Sequence, residues 1–326
     1  MGTAGHGPNI GHGYVKYIII DEQGQELEPI IFPSQVAKAT HAITGAIRET
    51  PTAILDGAHY WTGQDAEQGA MRTILSQERL TDLSFIPALV AGALARYGSL
   101  NGSSTGVCVS GLPATWAESA DKCRMLGQRL RAGAPDVYTR ITVIAEPLGL
   151  AYAALLSNDG QVVGDSAITS GRVGIVDLGH LTVDRSELLR LAPVRSSLDT
   201  ETLGTKGPLG QIRARLSAHF DRTFSLAETD QAVRLGVAKV AGKDQPLPQG
   251  WDIPLRENGQ AIRDWLVQAW GSGNQFDRVL LGGGGADVPQ IVEAIRTSFP
   301  RADVVERPQT AIARGYARLA RRMALQ

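Results

Sequence analysis

The sequence predicts an α/β fold made of two related domains, and three observations predict it. First, two glycine-rich segments about a hundred residues apart each follow an apolar run. They are Val173-Gly-Ile-Val-Asp177-Leu-Gly179-His-Leu-Thr182-Val-Asp184 and Val279-Leu-Leu-Gly282-Gly-Gly-Gly285-Ala286. In both, β-branched residues or leucines lead into a turn of small residues, which lets a backbone approach a ligand closely. Second, each half reads as strand, glycine turn, strand and then helices, a pattern of α/β architecture. Third, 326 residues exceed the size at which a single hydrophobic core is usual.

The elements follow in order. Tyr14 to Ile20 is β-branched and aromatic and runs into the turn Asp21-Glu-Gln-Gly24, so it reads as a strand entering a hairpin. Ile30-Ile-Phe32 leads into Pro33-Ser34, and Thr52 to Leu55 with His59-Tyr-Trp61 makes a short strand pair around Asp56-Gly57. Leu83 to Tyr97 has helical spacing, with Pro87 tolerated in the first turn. Asn101 to Gly106 reads as a loop, Val107 to Ser110 as a strand, Ala117 to Ala132 as a helix and Ile141 to Ile144 as a strand. Glu146-Pro147 opens a helix to Leu156, and the polar stretch Ser157 to Gly171 separates the halves. In the second half the Asp177 strand-turn continues antiparallel from Ser186 to Pro193. Gly207 to Phe220, Leu226 to Val240 and Gln260 to Trp270 look helical, and Gln245 to Pro254 is a Pro/Gly-rich break. Pro289 to Ser298 and Thr310 to Met323 are the last helices. The stretch Ala4-Gly-His-Gly-Pro8 is expected to make a poor strand, because proline lacks a donor and glycine lacks packing.

Composition is that of an ordinary globular protein: 43% hydrophobic and 20% charged. With 32 basic and 33 acidic residues there is no basic surplus for electrostatic capture of nucleic acid, so direct nucleic-acid binding is not expected. Arg314, Arg318, Arg321 and Arg322 recur at spacings that fit the solvated face of a last helix. Cys108 and Cys123 lack metal-ligand spacing and read as small buried hydrophobes. No apolar run approaches the roughly 18 residues of a membrane span. Nor does the N-terminus show a basic region with an apolar core, so the expectation is a cytoplasmic protein without a membrane partner.

Taken one at a time, the polar motif residues have ordinary structural readings. Glu146 before proline complements a helix dipole, Asp177 suits a turn, Lys16 suits a solvated strand, and Gly282 to Gly285 suits a connector. His12 and His180 lack metal-site spacing and read as turn residues. Read together and in order, the segments resemble the actin-like ATPases, and within them the ParM/StbA plasmid-segregation branch and archaeal actin-like proteins. That family's first phosphate turn, Asp-x-Gly-x-Gly-x-x-Lys, is matched by Asn9-Ile-Gly11-His12-Gly13-Tyr14-Val-Lys16. Its second is matched by Asp177-Leu-Gly179-His180-Leu181-Thr182-Val-Asp184. The Glu-Pro helix is matched at Glu146-Pro147-Leu-Gly149, the adenosine loop at Gly282-Gly283-Gly284-Gly285-Ala286, and the returning helix at Pro308-Gln309-Thr-Ala311-Ile-Ala313-Arg-Gly315-Tyr316. Phe32-Pro-Ser34, Tyr60 to Ala66 and Gly111-Leu-Pro113 also look like segments of this branch.

The resemblance implies an actin-like fold of two related α/β domains with a nucleotide cleft between them. Residues 1–145 would form domain I, with helix 311–326 returning to it, and residues 146–310 would form domain II. It implies ATP, or GTP, bound with Mg²⁺ by Asn9, Gly11, His12, Gly13, Tyr14, Lys16, Gly179, His180, Leu181, Thr182 and Gly282 to Gly285. Asp177 would hold Mg²⁺ through water, because magnesium keeps much of its hydration shell. Glu146 would position the attacking water. Asn9 stands where the family's turn begins with aspartate, which removes one negative charge beside the metal and keeps the shape. The implied function is an ATPase that polymerises with itself into filaments, for plasmid or DNA segregation through a DNA-binding adaptor. The alternatives are a non-hydrolysing nucleotide-binding scaffold and a small-molecule kinase of the same fold.

Overall fold

One plan is used twice: an antiparallel three-stranded meander whose first strand pairs in parallel with a fourth strand, which pairs in parallel with a fifth. The computed structural model describes residues 3–39, 53–98 and 105–326, so the loop expected at Asn101 to Gly106 lies mostly outside the described residues. The chain divides into two units. The first is Met1–Thr169 with Thr310–Gln326, and the second is Ser170–Gln309.

In the first unit the meander is β1 (Ala4–Ile10), β2 (Tyr14–Ile20) and β3 (Ile30–Pro33). A small sheet follows from β4 (Val36–Lys38), β5 (Ala53–Leu55) and β6 (Ala58–Thr62), in the order β4-β6-β5. Then come α1 (Glu78–Thr81), α2 (Phe85–Tyr97), β7 (Gly106–Leu112), α3 (Ala114–Ala117), α4 (Ala120–Gly133), β8 (Tyr138–Ala145), α5 (Glu146–Leu155) and α6 (Ser166–Thr169). The main sheet runs β3-β2-β1-β7-β8, with β1, β7 and β8 parallel. Its core joins Ile86, Leu89 and Val90 of α2 to Val15 and Tyr17 of β2 and to Leu126 and Leu130 of α4.

The second unit repeats the order as β11-β10-β9-β15-β16. Its elements are β9 (Arg172–Leu178), β10 (Val183–Leu189), β11 (Ala192–Pro193), β12 (Asp199–Glu201), α7 (Lys206–Phe220), α8 (Leu226–Leu235), β13 (Val237–Val240) and β14 (Lys243–Pro246). The remainder are α9 (Ile253–Trp270), β15 (Arg278–Gly282), α10 (Pro289–Arg296) and β16 (Ala302–Val304). Val176, Leu178 and Leu281 of the sheet pack with Ile212 and Leu216 of α7 and with Ile262 and Leu266 of α9. The chain closes with α11 (Pro308–Ala324), whose residues from Thr310 onward belong to the first unit.

Three expectations are corrected. The segment expected to be a poor strand is β1, the central strand of the first sheet, buried along all seven residues. A side chain on Gly5 or Gly7 would drive into the backbone of α11 at Ala317 or Ala313, so the glycines are what let the helix lie on the strand. The parallel register between β1 and β7 runs from Ala4 to His6, ahead of Pro8, whose carbonyl instead accepts a 2.6 Å hydrogen bond from the Ser110 hydroxyl. Polar packing replaces the missing aliphatics: His6 Nδ1 lies 3.0 Å from the Tyr17 hydroxyl, which lies 2.7 Å from that of Tyr138.

The helix expected from Leu226 to Val240 stops at Leu235. It begins with a capping box between Ser225 and Glu228 and ends at Gly236 in the left-handed region, after which β13 pairs with β14. The C-terminal arginines are not a solvated face. Arg314 and Arg321 are buried, Arg314 pairs with Glu26, Arg321 donates to the carbonyls of Thr3 and Glu22, and Arg322 donates to that of Gly160. Together they fasten α11 to the loops of the first unit.

Candidate functional site

In the first unit the candidate site is the tip of the β1–β2 hairpin. Asn9 pairs with Lys16 and Ile10 with Val15, so the antiparallel ladder closes on Gly11 to Gly13. Any Cβ on Gly11 would sit 2.9 Å from the Tyr14 carbonyl oxygen and 3.3 Å from both Asn9 Oδ1 and Lys16 Nζ. Asn9, Gly11, His12, Gly13, Tyr14 and Lys16 are therefore brought together. Asn9 is 5% exposed, and the His12 ring meets Trp116 edge-on at 5.7 Å.

The carbonyl groups of this turn are held from behind. Ser34 Oγ donates to the Gly11 oxygen at 2.6 Å, and Ser34 N donates to the Gly13 oxygen at 2.9 Å. Arg79 donates to the Ile10 oxygen at 2.8 Å and to the Gly11 oxygen at 3.3 Å. In a planar trans peptide the carbonyl of one residue and the N–H of the next point in opposite directions. Pinning the Ile10 and Gly11 oxygens thus aims the N–H groups of Gly11 and His12 away from the clamp, the arrangement that makes an anion-binding concavity.

Glu146 sits in the first turn of α5, followed by Pro147, where proline's missing N–H costs nothing. It lines one cavity with Ile10, His12, Arg79, Pro113 and Trp116. The helix is seated by small residues. A side chain on Gly149 would strike the ring of Tyr316 and Ile312 of α11, and one on Gly111 would strike the Tyr316 hydroxyl.

The second unit contains the other turn, between β9 and β10. Asp177 stands opposite Asp184 across the two strands, and Gly179 N donates to the Thr182 oxygen at 3.0 Å. Here too the carbonyls are engaged from behind. The N–H groups of Gly204, Thr205 and Lys206 donate to the oxygens of Leu181, Gly179 and His180 at 3.1, 3.1 and 2.8 Å. By the same peptide geometry the N–H groups of Leu181 and Thr182 face the other way. Asp184 is 1% exposed and accepts from Thr200 Oγ1 at 2.6 Å and from Thr182 Oγ1 at 3.0 Å.

The glycine loop lies beside this turn. Gly282 pairs with Asp177, and Gly283 has φ +79°, in the region that favours glycine. A Cβ on Gly283 would collide with Asp177 Oδ1 and the Leu178 oxygen, so Asp177, Gly179 to Thr182 and Gly282 to Gly285 form one group. Arg234 borders it: Nε lies 3.0 Å from Asp230, and the guanidinium lies 3.4 Å from both Asp287 and the Gly284 oxygen. Burial outweighs the neighbouring arginine at Asp287 and holds its carboxyl above the usual range.

The predicted site residues thus fall into two groups, one in each unit. Sequence reading missed the groups that hold the turns, namely Ser34, Arg79, Thr200 and the backbone of Gly204 to Lys206. Only Ser34 left a signal, within Phe32-Pro-Ser34. Cys108 is buried in β7, where burial pushes its thiol well up, and Cys123 is half-buried in α4, so neither is a reactive thiolate. Among the described residues no helix is long and apolar enough to cross a membrane.

Residues 8–134 match the family of actin-like proteins, N-terminal domain. No curated protein matches the chain at significant similarity. Among solved structures, ParM of Bacillus thuringiensis with ATP is 14% identical, with 100% of each chain covered and a TM-score of 0.67. An archaeal actin homolog in complex with ADP is 18% identical, with 97% of this chain and 98% of that chain covered and a TM-score of 0.71. The ParM of a 15-stranded filament from Clostridium botulinum is 17% identical, with 98% and 99% covered and a TM-score of 0.68. The chain therefore has the actin-like fold, and its residues 8–134 match an actin-like N-terminal domain.

Proposed function

We propose that this chain is an ATPase that binds ATP with Mg²⁺ and assembles into filaments. The observation that carries this reading is the shared construction of the turns. In both, the carbonyls are fixed from behind, so that N–H groups at Gly11 and His12 and at Leu181 and Thr182 are oriented in advance for an anion. Lys16, whose Nζ lies at the first turn beside Asn9, adds a positive charge to it. The small residues Gly282 to Gly285 leave room for the base and ribose.

The donors present suit magnesium. Asp177 and Asp184 are buried carboxylates on directly opposed residues of neighbouring strands, an arrangement of like charges that a cation relieves. Both offer the hard oxygen atoms that magnesium takes, directly or through water. When bound, the metal would neutralise charge on the phosphate oxygens. Glu146 is the carboxylate assigned to orient the attacking water, and its contribution is positioning within a largely electrostatic catalysis. Asn9, in place of the family's aspartate, lowers the negative charge at the first turn and favours slow turnover.

Self-assembly is supported by the likeness in fold to the ParM of the Clostridium botulinum filament. The cellular role we assign is plasmid or DNA segregation through an adaptor, with the protein in the cytoplasm. Phosphate release measured alongside negative-stain microscopy, with and without ATP and Mg²⁺, tests the proposal. Filaments and phosphate release that both require ATP support it. Filaments without any hydrolysis would instead favour the non-hydrolysing scaffold to which Asn9 points.

A further inference from the structure

Arg79 carries a positive charge that none of the nucleotide contacts proposed for the turns employs. Its guanidinium is 3% exposed, and among the described residues its hydrogen bonds go to two neutral carbonyl oxygens, those of Ile10 and Gly11. A buried cation is costly unless an opposite charge compensates it. Burial lowers its pKa to about 10, and the negative charge of Glu146 acts against that shift, so Arg79 is a cation at neutral pH. Its position is fixed as well. It comes from the short helix α1, which is tied to α4 by Arg129 Nε donating to the Leu80 oxygen at 3.0 Å, and it lies 5.8 Å from the centre of the Phe85 ring.

A positive charge kept dry and held in place, with the Glu146 carboxylate acting on it, behind a turn whose N–H groups are aimed away from it, has an evident use when an anion binds those N–H groups. We propose that Arg79 is a positioning residue for the terminal phosphate. Its fork holds the Ile10 and Gly11 carbonyls so that the turn's N–H groups face the anion, and its charge is shared between that phosphate and the Glu146 carboxylate. This rests on the nucleotide reading of the first turn and adds to it a preference for the triphosphate. The two roles separate chemically. Lysine keeps a positive charge but lacks the planar fork that reaches two carbonyls, whereas methionine keeps the apolar bulk and loses both.

The test compares Mg·ATP affinity, Mg·ADP affinity and phosphate release in the wild type, R79K and R79M, with thermal melting as the check on folding. R79K is expected to keep the wild-type ratio of ATP to ADP affinity and to lose about tenfold in turnover through the loosened turn. R79M is expected to lose ATP affinity about tenfold more than ADP affinity. A folded R79M with the wild-type affinity ratio and turnover overturns the proposal. Equal weakening of both nucleotides with unchanged turnover overturns it too, because that is the signature of a purely structural residue. Should R79M fail to fold, wild-type turnover in R79K overturns it. A wild type that binds neither nucleotide defeats the underlying reading, whereas a binding wild type indifferent to both substitutions defeats this inference alone.

Discussion

Ser34 Oγ donates a 2.6 Å hydrogen bond to the carbonyl oxygen of Gly11, so a residue just past β3 sets the orientation of the β1–β2 turn. The contact links sheet topology to the turn: pairing of β3 with β2 brings the Ser34 hydroxyl to the Gly11 carbonyl and holds it. S34A is expected to weaken ATP binding by about 1 kcal/mol, the usual net worth of one hydrogen bond, with little change in fold. Calorimetry on the variant checks it, and an unchanged affinity would leave the turn self-supporting.

Glu146 is placed by Pro147 at the start of α5 and by the close fit of Gly149 against Tyr316. E146A should lower turnover by about a hundredfold and leave ATP affinity nearly intact, since a water-orienting group acts in the transition state more than in the ground state. Single-turnover hydrolysis paired with a binding titration separates the two. Parallel losses in both would make Glu146 a structural residue.

Asp177 lies 5% exposed between Asp184 and the backbone of Gly283. D177N should flatten the dependence of ATP affinity on Mg²⁺ concentration, because it removes the negative charge proposed to attract the metal's water shell. Titrations at several Mg²⁺ concentrations read this directly, and a wild-type metal response in D177N removes Asp177 from the site.

Asn9 pairs with Lys16 at the base of the first turn, and it is the residue matched by resemblance to the family's aspartate. N9D should raise turnover and sharpen its Mg²⁺ dependence. Turnover and metal response that both stay at wild-type values would count against the role assigned to this turn.

Legibility in the sequence followed the kind of interaction involved. The β9–β10 turn and the Gly282 loop were readable, since their apolar strands and small residues are local. β1 was not, because its glycines are explained only by α11, more than three hundred residues later, pressing on Gly5 and Gly7. The same distance hid the C-terminal arginines, whose partners at Thr3, Glu22 and Glu26 are at the other end of the chain. Val237 to Val240 continued an apolar pattern past Gly236, and only the left-handed cap and the pairing with β14 show that the helix has ended. Arg79 left no trace either: a lone arginine on a four-residue helix becomes meaningful only when the fold carries it beneath Ile10 and Gly11.

Calorimetric titration of ATP into the folded wild-type chain, in the presence of Mg²⁺, decides whether the two turns hold a nucleotide. The expected result is saturable binding at one site per chain, weakened by S34A at the first turn and by D177N at the second. A folded protein that shows neither heat of binding nor a rise in melting temperature with ATP and Mg²⁺ would contradict it.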